Sequence, residues 1–384
     1  MKRVLIFSTV YFPLVGGAEV AMREETDRIT DMAFDLICAR VKPGLATTER
    51  IGNVTVHRCG FGHPVDKYLL PVLGVIRALH LAHRPPPTAH RPTPVIWSLM
   101  ASYGGFTALV YTWFRPRTKM LLTLQEGDPL EHYAKRAGTL EFLHKKVFKR
   151  ADAVQAISTF LANWAVNMGF RGTPEVVPNG VDIARFTQRI SSDRRRELRT
   201  SFGFKDDDTV LVTASRLSLK NGINDLVRSL THLPTNVKAL IVGEGEDTEK
   251  LSGLVKQNGL EKRVVFLGKR GHDELPGILQ SADIFVRASL SEGLGNAFLE
   301  AMACGLPIIG TPVGGIPDFL TDGETGVFCA PRNPESIAIA VKRIQSEPGL
   351  REKLIRQGEA LVREQYGWDG IALRIKGMLE RLAV

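Results

Sequence analysis

The chain has 384 residues, 44% hydrophobic and 24% charged, with 36 glycines. This length fits two domains of about 150–200 residues each, and the balance excludes a disordered or fibrous chain. The formal charge of +9 is uneven: residues 1–180 carry 22 Lys and Arg against 14 Asp and Glu, the remainder 28 against 27. A basic first half suits phosphate-rich partners, or is only a well-solvated surface. No apolar run reaches the ~18 residues of a membrane span. The four cysteines, Cys38, Cys59, Cys304 and Cys329, are scattered without a C-x-x-C pair, as reduced thiols in a cytosol are.

The chain opens with Met-Lys-Arg and an apolar run over 4–7. Pro13 and the Gly16-Gly17 pair end the run without a small-residue cleavage site, so it reads as a buried strand over 4–9 and not as a signal peptide. A helix is predicted over 18–29, then strands over 35–39, 54–58, 95–99, 120–124 and 153–157, with a second helical pattern over 140–150. The Pro-rich piece 84–94 reads as a surface loop. Between 178 and 205 Arg and Ser cluster and apolar periodicity fades, which marks a seam. Beyond it, strands are predicted over 210–214, 239–242, 264–267, 284–287, 307–310 and 326–328. Helices are predicted over 221–230, 249–257, 275–280 and 297–302. The alternation predicts an α/β chain with two Rossmann-like domains, each a parallel sheet covered by helices. Their bounds are 1–185 and 206–365, with a linker over 186–205 and a terminal amphipathic helix within 366–384. Such sheets bind ligands at the carboxyl ends of their strands, so strand-to-helix loops carry the chemistry.

Three loops stand out. Gly16 and Gly17 precede a helix, where backbone N–H groups can approach a phosphate; a merely structural turn has the same look. Arg216 and Lys220 follow the first strand of the second half. Two cations four residues apart can close on a diphosphate, Arg as a fork and Lys as a point charge, or can simply be solvated. The run Glu292-Gly293-Leu294-Gly295-Asn296-Ala297-Phe298-Leu299-Glu300 follows a strand and enters a helix. It puts the amides of Leu294 to Ala297 at a helix N-terminus, Glu292 in the loop, and Glu300 one turn in, able to accept two sugar hydroxyls. The basic stretch 135–150 interleaves cations with Leu140, Leu143, Val147 and Phe148. It reads as a domain helix facing its own sheet, as a membrane-surface helix, or as both.

Five motifs in this order resemble glycosyltransferase family 4: G-G-A-E at 16–19, V-P-N-G-V-D at 177–182, S-R-L-x-x-K-N-G at 215–222, V-G-E-G at 242–245, and E-G-x-G-x-x-x-x-E at 292–300. The resemblance implies the GT-B fold, two facing Rossmann-like domains with a central cleft and a C-terminal helix crossing back to the first domain. It implies transfer with retention of the donor's anomeric configuration. By the same resemblance Arg216, Lys220 and Glu292 are the catalytic candidates, the two cations on the donor diphosphate and Glu292 on hydroxyls of the transferred sugar. Glu300 would hold the ribose, with Gly243, Leu294, Gly295, Asn296 and Ala297 completing the donor site and Gly16 and Gly17 closing it from the first domain. Tyr366-Gly367-Trp368 and the residues after it are similar to the family's last helix.

One departure matters. Where the family often has T-x-H, this chain has Thr123-Leu124-Gln125-Glu126-Gly127-Asp128. Gln125 can orient a hydroxyl but cannot take a proton near neutral pH. Glu126 or Asp128 could serve as a base, or the turn is capped and solvated; all three are acceptor-side candidates. In the same-face mechanism proposed for the family the departing phosphate takes the acceptor's proton, so transfer does not require the histidine.

The expected function is transfer of a sugar from a UDP- or GDP-linked donor to a sugar or lipid-linked acceptor, in the cytoplasm. The basic first domain can meet an anionic membrane. With no D-x-D motif and no His/Cys cluster, neither metal nor other cofactor is expected; with little aromatic interleaving, neither is nucleic acid. Two alternatives stay open. A sugar-nucleotide epimerase of the same fold would need an acid/base set, for which the first half offers His63, Glu126, Asp128 and His132. A non-catalytic sugar-nucleotide-binding protein would follow if Gln125 marked lost activity.

Overall fold

The computed structural model describes residues 2–83, 94–129 and 141–383. His132, residues 135–140 of the basic stretch and all of the Pro-rich piece except Pro94 lie outside the described residues. The chain divides into two compact units, Met1–Asn179 with Trp368–Val384, and Gly180–Gly367. Among the described residues no helix is long and apolar enough to cross a membrane.

In the first unit the strands are β1 (Lys2–Phe7), β2 (Met32–Ala39), β3 (Thr48–Ile51), β4 (Val54–Cys59), β5 (Val95–Leu99), β6 (Met120–Leu124), β7 (Ala153–Ala156) and β8 (Glu175–Val176). They form one sheet in the order β3-β4-β2-β1-β5-β6-β7-β8, parallel throughout except for β3 against β4. Val4, Leu5, Ile6 and Phe7 are all buried, which is why β1 reads as a continuous apolar run. Because β2 and β5 flank β1, the strand order reverses there, and the crevice of this sheet lies at the carboxyl ends of β1 and β5.

The terminal helix Trp368–Leu382 belongs to this unit. Trp368, Ile371, Ala372, Ile375, Met378 and Leu379 lie on one helical stripe and join the core of Val4, Ile6, Met22 and Trp97. Pairs at its margin orient it: Arg28 Nε to Asp369 Oδ1 at 2.8 Å and Lys376 Nζ to Asp31 Oδ2 at 2.6 Å.

The helix Gly17–Arg28 also buries Glu25 completely, and neither of its carboxyl oxygens has a hydrogen-bond partner among the described residues. Burial pushes this carboxyl up to about 8 from 4.5. As pH rises the unfolded chain releases the proton first, so this group's stability contribution is full below pH 4.5 and lost by about pH 8. Glu25→Gln is expected to flatten that slope and raise the melting temperature at pH 8 by about 5 °C or more. Melting curves from pH 5 to 9 check this; parallel curves for the two proteins would place the slope elsewhere.

In the second unit β9 (Thr209–Ala214), β10 (Val237–Val242), β11 (Val264–Gly268), β12 (Ile284–Arg287), β13 (Ile308–Gly310) and β14 (Val327–Phe328) form an all-parallel sheet, in the order β11-β10-β9-β12-β13-β14. Its reversal falls between β9 and β12. Residues 186–205, read from sequence as a linker, instead carry the helix Ser192–Ser201, anchored to this unit. Arg199, 2% exposed, donates to Asp283 Oδ2 at 3.1 Å, and Asp283 also receives Arg195 Nη2 at 2.7 Å and the Val210 amide at 2.8 Å. Apolar periodicity fades here because guanidinium groups hold this helix in place of a hydrophobic stripe.

Candidate active site

Most of the second-unit candidates fall in loops at the carboxyl end of its sheet. Arg216 follows β9 and is exposed, with Nε and Nη2 on Glu246 Oε2 at 3.1 and 3.0 Å. A surface pair of this kind is worth about 0–1 kcal/mol, so Arg216 can exchange it for a stronger anion at little cost. Lys220 is half-buried in the 3-10 turn Leu219–Asn221, and its carbonyl accepts the Leu290 amide at 2.6 Å. Gly243 follows β10 with φ +129°; a Cβ there would lie 1.9 Å from the Ser215 carbonyl oxygen, so glycine is required for this loop to pass the Arg216 loop.

Behind these lies a buried polar cluster that the sequence reading did not foresee. Arg287, the last residue of β12, donates from Nη2 to Glu292 Oε2 at 2.6 Å and to Asn221 Oδ1 at 2.8 Å. Its guanidinium carbon sits 5.7 Å from the Phe298 ring centroid, and its Nε is buried without a partner among the described residues. Asn221 Nδ2 in turn donates to the Arg216 carbonyl at 2.6 Å. The cluster thus ties the Arg216–Lys220 loop to the Glu292 loop. Glu292 lies in the loop, as expected, where it is 9% exposed and held by Arg287. Gly314 (φ +58°) backs it, since a Cβ there would lie 1.8 Å from the Glu292 carbonyl oxygen. The one legible clue to Arg287 was a charge closing the apolar run Ile284-Phe285-Val286.

Gly295, in the left-handed region at φ +100°, caps the helix Asn296–Ala303. Leu294 is buried just ahead of it, and the amides of Asn296 and Ala297 open the first turn, where N–H groups have no intrahelical acceptor. Glu300 lies one turn in. Burial holds its carboxyl above the usual range, while the charges of His272 and Arg287 act in the opposite direction; His272 Nδ1 is 3.9 Å from Glu300 Oε1. The arrangement offers two cations, a helix N-terminus and a carboxylate acceptor at one end of one sheet, which suits an anion linked to a hydroxylated group.

In the first unit, Gly16 and Gly17 open the helix Gly17–Arg28. The Gly16 amide donates to Glu19 Oε2 at 2.7 Å, and none of the described residues comes within 4 Å of a Cβ added at Gly17. Gln125 and Glu126 follow β6 and are both buried, so the turn is not a solvated one. Gln125 Oε1 accepts from Asn179 Nδ2 at 2.9 Å, which joins the departure from T-x-H to the V-P-N-G-V-D motif. Glu126 Oε1 accepts the Ala101 amide at 2.9 Å, and Oε2 is buried with no partner among the described residues. Burial pushes this carboxyl up to about 7 against the pull of the Ala101 amide. His144, unforeseen, hydrogen-bonds the backbone of the same Ala101 and packs against Phe106, Phe148 and Trp164, where burial lowers its pKa. Asp128 is half-buried two residues further on.

The family model of glycosyl transferases group 1 matches residues 194–361, and that of the glycosyl transferase 4-like domain matches residues 16–180. An uncharacterized glycosyltransferase of Methanocaldococcus jannaschii is 35% identical over 206 residues, a match spanning 52% of this chain and 53% of the relative's own length. A GDP-mannose-dependent monoacylated alpha-(1-6)-phosphatidylinositol monomannoside mannosyltransferase of Corynebacterium glutamicum is 28% identical over 247 residues, 62% of this chain and 64% of its own. Among solved structures, the Anabaena protein HepE in complex with UDP and glucose superposes with a TM-score of 0.81 at 20% identity, covering 99% of this chain and 100% of its own, a likeness of fold. With both halves matched and both sheets of the same kind, the chain belongs to the group 1, family 4 glycosyltransferases and has the GT-B fold.

Proposed function

We propose that the protein transfers a hexose from a UDP- or GDP-linked donor to a sugar or lipid-linked acceptor, with retention of the anomeric configuration and without a metal ion. The observation that carries this reading is the grouping at the carboxyl ends of β9 and β12. Arg216 and Lys220 take the diphosphate, the first turn of the helix Asn296–Ala303 takes a phosphate or sugar oxygen, and Glu300 accepts the ribose hydroxyls. Glu292 keeps its carboxylate oriented by Arg287 and meets hydroxyls of the transferred sugar. The bond from the anomeric carbon to the diphosphate breaks, and the bond to the acceptor oxygen forms on the same face. The acceptor's proton goes to the departing phosphate, whose growing charge the two cations offset. On the acceptor side, Gln125 and Asp128 orient hydroxyls. Glu126, being buried, acts as a positioning residue for the loop after β5.

One relative is GDP-mannose-dependent and the structurally similar HepE is seen with UDP, so the base is tested directly. Melting curves with UDP, GDP, ADP, TDP and CMP, with and without Mg²⁺, should show a shift with one diphosphate and no need for metal. A ligand at about 100 times its Kd adds about 2.7 kcal/mol of stability. Glu300→Ala should abolish most of that shift. No shift with any nucleotide would sink the donor-site reading, and a shift only with Mg²⁺ would sink its metal-free form.

A further inference from the structure

One helix of the first unit is apolar on two faces. Asp66–His83 buries Leu70, Val75, Ala78 and Leu81 on the side that packs against β2, β4 and the helix Tyr103–Phe114, yet leaves Tyr68, Leu69, Val72 and Ile76 exposed. That spacing makes a second stripe, turned to solvent. The loop ahead of it adds Val65 and Phe61, the latter 81% exposed. The exposure of Phe61 is held in place: Asp66 Oδ2 accepts the amides of Phe61 and Gly62 at 2.8 Å and of His63 at 3.1 Å, fixing the turn that presents the ring. The Tyr68 ring meets Tyr103 edge-on at 5.2 Å, and the helix Tyr103–Phe114 exposes Trp113 and Phe114 at its far end. A packed domain has no internal use for these side chains in water.

The charges on these two helices and the loops that flank them are of one sign. Residues 60–82 and 103–118 hold Lys67, Arg77, Arg115 and Arg117, and the one acid in those stretches, Asp66, is buried under the turn. Lys67 Nζ lies 5.0 Å from the Tyr68 ring centroid, its stem along the apolar surface and its charge at the margin. Apolar and aromatic side chains bordered by cations match the interface of an anionic bilayer, rings at the headgroup level and cations on phosphates. A second copy of the chain fits worse, because a two-fold contact would bring two patches of the same positive sign face to face.

We propose that Phe61 and the exposed stripe of Asp66–His83 dock the protein on an anionic lipid surface. The Phe61 loop follows the carboxyl end of β4, the same edge of the sheet as Gly16, Gly17, Gln125 and Glu126. Docking there brings a lipid's headgroup to the acceptor-side loops. It rests on the first unit's surface alone and not on the donor reading.

The full chain is tested by co-sedimentation with phosphatidylcholine vesicles, pure or mixed with phosphatidylglycerol. Wild type should bind the mixed vesicles at least about tenfold more tightly, and salt should weaken this. Trp113 reports contact, because Trp97, Trp164 and Trp368 are buried: its emission should move to the blue on the mixed vesicles alone. The variant Phe61→Ser/Val72→Ser/Ile76→Ser changes only exposed side chains and should lose binding about tenfold or more while melting as wild type does. Lys67→Glu/Arg115→Glu/Arg117→Glu should lose the preference for phosphatidylglycerol. Wild type that ignores both vesicles, an apolar variant that binds as well as wild type, or a dimer dispersed by that variant without vesicle binding would each overturn the proposal. The nucleotide-induced melting shift, read on the same variants, reports the donor site separately.

Discussion

Replacing Glu292 by alanine is expected to cost about 3–5 kcal/mol of stability and nearly all transfer activity. The stability loss comes from the residue left behind. Arg287 is 9% exposed, and its Nη2 is held by Glu292 and Asn221; without the carboxylate a desolvated cation keeps a single neutral acceptor and the face of Phe298. The control is Arg287→Met with Glu292→Leu, which removes both charges and keeps most of the volume. Buried ion pairs replaced in this way are often neutral in stability, so the double variant should unfold in urea near the wild-type midpoint. Its activity should stay lost, because the carboxylate proposed to meet the sugar is gone. A single variant as stable as wild type would show that the pair is not desolvated, and an active double variant would remove Glu292 from the substrate.

Lys220→Ala is expected to lower turnover by about 10²–10³-fold while weakening nucleotide diphosphate affinity much less. A point charge aimed at a leaving phosphate is worth most when the bond to the sugar has largely broken, so its loss is felt in the transition state. The substitution spares the backbone: the Lys220 carbonyl still accepts the Leu290 amide and the loop keeps its link to the strand β12 side. Single-turnover rates and nucleotide Kd values measured on the same preparation separate the two effects. Equal losses in both would mean that Lys220 only holds the ground state.

The strands were legible where the chain is buried on both sides. Val4 to Phe7 and Ile284 to Val286 are continuous apolar runs because helices cover both faces of a parallel sheet, and such runs are visible without any partner. The edge strand β3 was missed because Thr48-Glu49-Arg50-Ile51 is polar and half-exposed. The helix Asp66–His83 was missed for the opposite reason: apolar on two faces, it has no alternation of period 3.6 to detect. The same property that hid it from the sequence reading makes it the docking surface proposed above.

The residues proposed for the donor side stand out in the sequence because their spacing is local. Arg216 and Lys220 lie on one loop, and Gly295 to Glu300 on one helix start, so a short window contains each group. Arg287 and Asn221, 66 residues apart, and Gln125 and Asn179, 54 apart, meet only through the sheet order. By itself, then, the sequence determined the α/β architecture, the family and which motifs fall in strand-to-helix loops, because periodicity and motif spacing are properties of neighbouring residues. Only the tertiary structure decided that Glu292 is locked by a buried arginine, that Glu126 is a desolvated carboxyl near neutrality, and that one helix turns a second apolar face to solvent. Those are properties of what surrounds a side chain once distant segments have packed, and desolvation, which sets both the strength of an ion pair and the pKa of a carboxyl, has no counterpart in a linear pattern.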